Sequence, residues 1–249
     1  MKNMETYSKC IVAFLDILGF KNMINTKAFE EIREIFSNVI PQSDFCLALG
    51  RAAYDEDIVL NQYNDVLSKT KMHIMSDSII IAAPVGYPEA LAVVIDICDV
   101  IQEQLYDLEV PVFLRGAIAE GDFYLDEQLI FGKGLVDAYV AQENYAVYPR
   151  IIVSDAVVKG KTVSVDSEWK KLPRDKDGYF YINTLERYFQ CKTLDEFVTN
   201  GQVKKIRQCV DSRLQGYADS HLREKYIWIR QELERIKHNL AYDNNIVMG

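Results

Sequence analysis

A surplus of basic residues is missing from this chain. Its 249 residues carry 28 Lys and Arg against 37 Asp and Glu, a formal charge of −9. A duplex-binding surface would be basic, so no nucleic-acid partner is expected. A mononucleotide is not excluded, because such sites neutralise phosphate locally with metal and backbone amides. Long apolar runs are also missing, and no membrane partner is expected. The N-terminus, Met1-Lys2-Asn3-Met4-Glu5-Thr6-Tyr7, lacks the basic-then-apolar form of a secretion signal. Cysteine is sparse: Cys10, Cys46, Cys98, Cys191 and Cys209 are scattered, odd in number and never at C-x-x-C spacing. Free thiols in a reducing cytoplasm are expected. There is no internal repeat and no low-complexity segment. What is there is ordinary soluble globular composition, 49% hydrophobic and 26% charged. The length allows one sizeable domain with an elaboration, or two small ones.

Hydrophobic patterning gives the order of elements. Residues 9–15 form a continuous β-rich apolar run, read as a buried strand. From Gly19 the spacing turns helical through Phe20, Met23, Ile24, Phe29, Ile32, Ile35, Phe36 and Ile40, until Pro41 stops it. Residues 42–70 read as an irregular insertion with a short helix around 56–67. Residues 71–83 read as a β-hairpin with Ser76-Asp77-Ser78 at its tip, and 88–107 as an amphipathic helix. A strand over 111–119 is followed by a second hairpin from Gly121 to Phe131, a helix over 135–147 and a strand over 150–154. Residues 178–183 read as a last strand or an edge hairpin. From about Leu194 the chain reads as helical, with Tyr226, Ile229, Leu233, Ile236 and Leu240 on one face of the final helix. That helix packs on the sheet or pairs across a dimer. The first six elements follow the order β α β β α β. This is the ferredoxin-like, split βαβ unit, an α+β sheet with helices covering one face. Residues 1–185 are expected to form the sheet domain, and 186–249 a helical C-terminal extension.

Two acids stand out on this frame. Asp16 ends the first apolar run, and Asp77 sits between the two arms of the first hairpin. An acid at the end of a buried strand is costly unless something positive meets it. Two such acids brought together would repel and call for a cation between them. The plain alternatives are an N-cap role for Asp16 and a turn role for Asp77. Arg115, between a buried strand and Gly116, either pairs with an acid on the sheet or reaches phosphate. Lys133 lies between two glycines, but Gly-Lys-Gly is no Walker motif, and a solvated turn lysine is the plain reading. His73 reads as a core or edge histidine, or as a base-recognition group. Tyr139, Tyr145 and Tyr148 are expected to pack at a helix end or an interface.

Phe14-Leu15-Asp16-Ile17-Leu18-Gly19-Phe20 resembles the first metal motif of class III nucleotide cyclases, apolar-apolar-Asp-Ile-x-Gly-Phe. Asp77 stands where that family has its second metal aspartate. Leu114-Arg115-Gly116-Ala117-Ile118-Ala119-Glu120-Gly121 is similar to the family's fourth strand. Ile130-Phe131-Gly132-Lys133-Gly134-Leu135-Val136-Asp137-Ala138 is similar to its later Phe-Gly segment. The resemblance spans roughly residues 9–155. It implies two Mn²⁺ or Mg²⁺ ions held by Asp16, Asp77 and the Ile17 carbonyl. The amides of Leu18, Gly19 and Phe20 would then grip a ribonucleoside triphosphate, and a homodimer would place sites at its interface.

The departures from the family pattern are specific. The two purine-reading positions hold His73 and Leu129. The positions of the transition-state Asn and Arg hold Val136 and Val140. Intact metal aspartates beside non-purine base positions are similar to the pyrimidine cyclases of bacterial Pycsar anti-phage systems. The resemblance thus implies a cytoplasmic enzyme that makes cyclic UMP or cyclic CMP as a signal in antiviral defence. A substitute cation is then needed, and Arg115, Lys133 and Arg150 are the candidates. The alternative is a degenerate cyclase-like module that binds a nucleotide as a sensor or regulator.

Overall fold

Strand β1 (Ser8–Ile17) shows why the sheet forms where it does. Side chains alternate faces along a strand, and here both faces are apolar. Ile11, Ala13, Leu15 and Ile17 enter the main core with Ile79, Ile81, Leu91, Val94 and Ile101. Cys10, Val12 and Phe14 enter a smaller cluster on the other face with Ile80, Ala82, Phe123 and Leu135. A strand buried on both sides needs a continuous apolar run, as this one has.

A computed structural model describes residues 7–39, 57–159, 172–216 and 220–247. After β1 come α1 (Phe20–Thr26), α2 (Phe29–Val39), α3 (Asp57–Lys69), β2 (Lys71–Met75), β3 (Ser78–Pro84) and α4 (Ala90–Asp107). Next are β4 (Leu114–Leu125), β5 (Ile130–Phe131), α5 (Lys133–Tyr145), β6 (Ile151–Val153), α6 (Asp155–Lys159) and β7 (Phe180–Ile182). Four helices close the chain: α7 (Thr184–Phe189), α8 (Leu194–Thr199), α9 (Gly201–Gly216) and α10 (Ser220–Val247). The strand order is β2-β3-β1-β4-β6-β7, with β5 paired to β4. The first four strands are antiparallel neighbours in the ferredoxin-like order, and β6 joins parallel to β4. The fold is therefore the expected α+β sheet with a helical C-terminus. Residues 178–183 resolve into β7, antiparallel to β6. Residues 42–56 of the expected insertion, with Ile40 and Pro41 before them, lie outside the described residues.

Three local expectations differ from the structure. The single helix expected over 20–40 is two helices. Lys27 is extended (φ −101°, ψ 151°) and its N–H bonds Met23 O, while Glu31 reaches back to accept from Ala28 N at 2.9 Å. This carboxylate satisfies one of the orphan donors of α2. The strand over 111–119 and the next hairpin arm are one strand, β4, paired with β1 from Leu114 to Phe123. Gly121 lies inside this strand. It lets α5 approach, because a Cβ there would lie 2.5 Å from Gly134 N. So α5 packs on the face of the sheet opposite α4, with Leu135 beside Val12 and Phe123.

The third difference is α4, which is buried on nearly every side rather than amphipathic. Its covered Asp96, Asp99 and Gln102 side chains are bonded, as burial requires, while Gln104 Oε1 is buried without a hydrogen-bond partner. Tyr63 Oη donates to Asp96 at 2.9 Å, and Thr184 Oγ1 donates to Asp99 at 2.6 Å. Gln102 accepts from Leu114 N at 2.7 Å and donates to Val112 O at 3.0 Å. These bonds tie α3, α7 and the start of β4 to one helix. The C-terminal helices pack within the chain: Leu18, Tyr106 and Phe113 share a second core with Phe197, Ile206, Tyr226, Ile229 and Leu233. The inward stripe of α10 thus packs against the sheet unit and α9. Each fully buried aliphatic side chain in that stripe contributes about 1.5–3 kcal/mol.

Candidate active site

Asp16 and Asp77 meet because β1 ends beside the β2–β3 turn. Asp16 pairs across the sheet with Ser78 on one side and Arg115 on the other. The turn has two residues, Ser76 and Asp77, and Ser76 takes a left-handed φ of 57°. The Ile17 amide donates to the Asp77 carbonyl at 3.0 Å, which fixes the hairpin tip against the end of β1. Beyond it, Gly19 adopts φ 79°, a conformation glycine takes without steric cost, and turns the chain into α1. Gly19 is the N-cap of α1, and no side chain caps that helix. The capping alternative for Asp16 is thereby removed.

One cleft of about 460 Å³ gathers Asp16, Ile17, Leu18, Gly19, Phe20, Asp77 and Arg115. Arg115 Nε donates to Asp16 Oδ2 at 2.7 Å, with side chains only 18% and 19% exposed. The same guanidinium reaches Glu143 on α5 at 3.3 Å. Burial pushes the Asp16 carboxyl above the ordinary carboxylate range. The hydrogen bond and charge of Arg115 pull it back, the charge of Asp77 adds to the rise, and Lys225 opposes it. Asp16 is therefore a costly acid facing a second acid, as two metal-binding carboxylates would be.

The other expected residues are placed as follows. Leu18 lines the cleft, but its amide donates to Phe113 O at 2.9 Å, so phosphate would have to compete with that bond. Gly19 and Phe20 line the cleft at the first turn of α1. His73 stands on edge strand β2 opposite Ile80 and does not line the cleft. Lys133, 70% exposed at the start of α5, pairs with Asp137 one turn on. Arg150 is buried, bonds Asp175 and Asp177, and lies over Tyr148 and Tyr181. It braces β6 and β7 rather than serving the cleft. Sequence reasoning missed Lys225 and Leu222 of α10, which also line the cleft. Their one signal is position: they fall on the inward stripe that continues through Tyr226 and Ile229.

The donor set fits a hard divalent cation. It offers two carboxylates and a backbone carbonyl, all oxygen. Among the described residues no group of three or more His, Cys, Asp or Glu could hold a metal ion by itself. The remaining ligands would have to be phosphate oxygens and water, the usual pattern for Mg²⁺.

No family model matches the chain, and no curated protein matches it. Solved structures do. The guanylyl cyclase Cya2 is similar at 12% identity and TM-score 0.42, over 71% of this chain and 91% of that one. The guanylate cyclase domain of RhGC from Catenaria anguillulae, in complex with GTP, gives 12% and 0.41 over 70% and 94%. An adenylate/guanylate cyclase/hydrolase from Silicibacter pomeroyi gives 16% and 0.43 over 71% and 95%. What the cleft can do follows from its own side chains. No helix among the described residues is long and apolar enough to cross a membrane.

Proposed function

We propose that this chain is a class III-type nucleotide cyclase. It converts a ribonucleoside triphosphate, UTP or CTP, to the 3′,5′-cyclic monophosphate and pyrophosphate, as a cytoplasmic signal in antiviral defence. The observation that carries the proposal is the pairing of Asp16 and Asp77 in one cleft beside the Gly19 turn. In the reaction the ribose 3′-oxygen attacks the α-phosphorus, the bond to the β-phosphate oxygen breaks, and the hydroxyl proton leaves to solvent. Asp16, Asp77 and the Ile17 carbonyl would hold two Mg²⁺ or Mn²⁺ ions. When bound, these supply Lewis-acid chemistry that activates the hydroxyl and neutralises phosphate charge. The chain's own part is positioning and electrostatics. Gly19 and Phe20 offer amides at a helix start, where phosphate is favoured. Arg115 holds Asp16 in place and offers a cation at the cleft.

Pyrimidine preference is supported by the residues at the two purine-reading positions. His73 is half-buried on an edge strand, and Leu129 stands exposed in the turn before β5. Neither offers the usual purine-reading pair. Assembly as a homodimer is supported by α5, where Val136, Tyr139 and Val140 form an exposed apolar stripe. A second reading, a nucleotide-binding sensor without turnover, is favoured by the Arg115–Asp16 pair, which occupies one carboxylate oxygen.

The test is direct. The protein is incubated with each of the four ribonucleoside triphosphates and Mn²⁺, and products are separated. Cyclic UMP or cyclic CMP with equimolar pyrophosphate is expected, and Asp16→Asn and Asp77→Asn should abolish both. Metal-dependent nucleotide binding with no product would favour the sensor.

A further inference from the structure

The Asp16/Asp77 cleft is walled partly by the C-terminal helix α10, through Leu222 and Lys225. Leu222, Lys225, Tyr226 and Ile229 follow helical i, i+3, i+4, i+7 spacing, so Lys225 sits on the inward stripe. A half-buried lysine on such a stripe keeps its stem on apolar surface and directs its ammonium to the polar opening. Here that opening is the cleft, which Lys225 lines together with Asp16 and Asp77.

Lys225 is held in register with the Leu18–Gly19 loop by a short chain of contacts. The Leu18 amide bonds the Phe113 carbonyl, and the Phe113 ring meets the Tyr226 ring edge-on at 6.0 Å. Leu18, Phe113, Tyr226 and Ile229 belong to one core. Arg223 Nη1 donates to Leu214 O at 2.6 Å, which fixes the start of α10 against the end of α9. A cation carried by so well-anchored a backbone loses little further freedom when it meets an anion.

We propose that Lys225 is a triphosphate-binding residue of this cleft, contributed by the same subunit that carries Asp16 and Asp77. The helical C-terminus is then part of the active site rather than an appendage. The proposal rests on the cyclase reading for its ligand, a nucleoside triphosphate. The cations lining the cleft are Lys21, Arg115 and Lys225. Arg115 is engaged by Asp16 and Glu143. Lys21 is exposed on the first turn of α1, whereas Lys225 is half-buried on the anchored stripe of α10. Lys133 and Arg150 do not line the cleft at all. Lys225 is a point charge on a flexible stem, a form well suited to β- and γ-phosphate oxygens.

Binding of inorganic tripolyphosphate, with and without Mg²⁺, is measured by calorimetry for the protein and for Lys225→Met and Lys225→Arg. Methionine keeps the stem and removes the charge; Lys225→Gln serves in its place if that variant is unstable. Loss of one charge-assisted contact should weaken binding about 10- to 100-fold, while Lys225→Arg should stay within a few-fold. With the preferred triphosphate, Lys225→Met should raise KM by a similar factor and lower kcat less. Tripolyphosphate affinity of Lys225→Met within twofold of the parent protein overturns the proposal, as does failure of the parent protein to bind tripolyphosphate. The cyclase reading is judged apart, by turnover. Lys225-dependent binding without cyclic product would overturn that reading and leave the anion site standing.

Discussion

Replacing Arg115 with methionine probes the electrostatics of the cleft. The guanidinium contacts Asp16 at 2.7 Å and Glu143 at 3.3 Å, and it shares with Asp16 a site that is four-fifths buried. Removing one partner of a fully buried pair costs about 3–5 kcal/mol. With some solvent left around both groups, about 2 kcal/mol is expected here. Asp16 can also relieve the loss by taking up a proton. Its folded-state pKa is already raised, by burial first, and Arg115 is the main group pulling it down. Without Arg115 it rises further. A raised carboxylate pKa means that the folded state holds the proton longer than the unfolded chain. Its penalty is absent when both states are protonated and is complete above the folded pKa. The loss in Arg115→Met should therefore be small near pH 4 and largest at pH 8. Urea unfolding at pH 4, 6 and 8 measures it. The same variant should bind Mn²⁺ more tightly at neutral pH, since Arg115 no longer competes for Asp16. A stability loss independent of pH, or weaker Mn²⁺ binding, would refute this reasoning.

Two further perturbations test the frame around the cleft. Burial and the charges of Asp99 and Asp107 push Glu103 up to about 7 against the pull of Arg187. Its folded pKa lies above the unfolded value, so it lowers stability by about 2–3 kcal/mol as pH rises from about 4.5 to 7. Glu103→Gln should melt increasingly above the parent protein between pH 5 and pH 8, and a constant difference in Tm would count against it. Gly121→Ala would set a Cβ 2.5 Å from Gly134 N, where only backbone can yield. A loss of about 3 kcal/mol is expected on chemical unfolding, and an unchanged midpoint would mean that α5 is not packed as described.

Elements set by local pattern could be read from the sequence. The run around Val12, the first hairpin and α5 each bury faces that their own spacing announces. Asp16 and Asp77 could be paired as well, because a split βαβ order brings the end of β1 to the tip of the next hairpin. Most of what could not be read depended on distant partners, the break at Lys27 excepted. The break at Lys27 is made by Glu31 folding back on Ala28 N. Gly121 reads as the start of a separate hairpin arm, yet ladder pairing with Cys10 and the approach of Gly134 place it inside one long strand. Arg150 suggested a phosphate cation until Asp175 and Asp177 were found around it. Lys225 lies at the opposite end of the chain from Asp16, and only tertiary packing through Phe113 and Tyr226 brings them to one cleft.

The central claim is that two carboxylates make this cleft a cyclase site. The most direct measurement is product formation from UTP and CTP with Mn²⁺, compared between the parent protein and Asp77→Asn. Asp77 is the apt choice because its carbonyl, not its carboxylate, holds Ile17, so the amide should leave the fold intact. A 3′,5′-cyclic monophosphate and pyrophosphate from the parent protein alone, with matching unfolding curves for the two, is the predicted result. Product undiminished in Asp77→Asn, or none from the parent protein with any triphosphate, would contradict it.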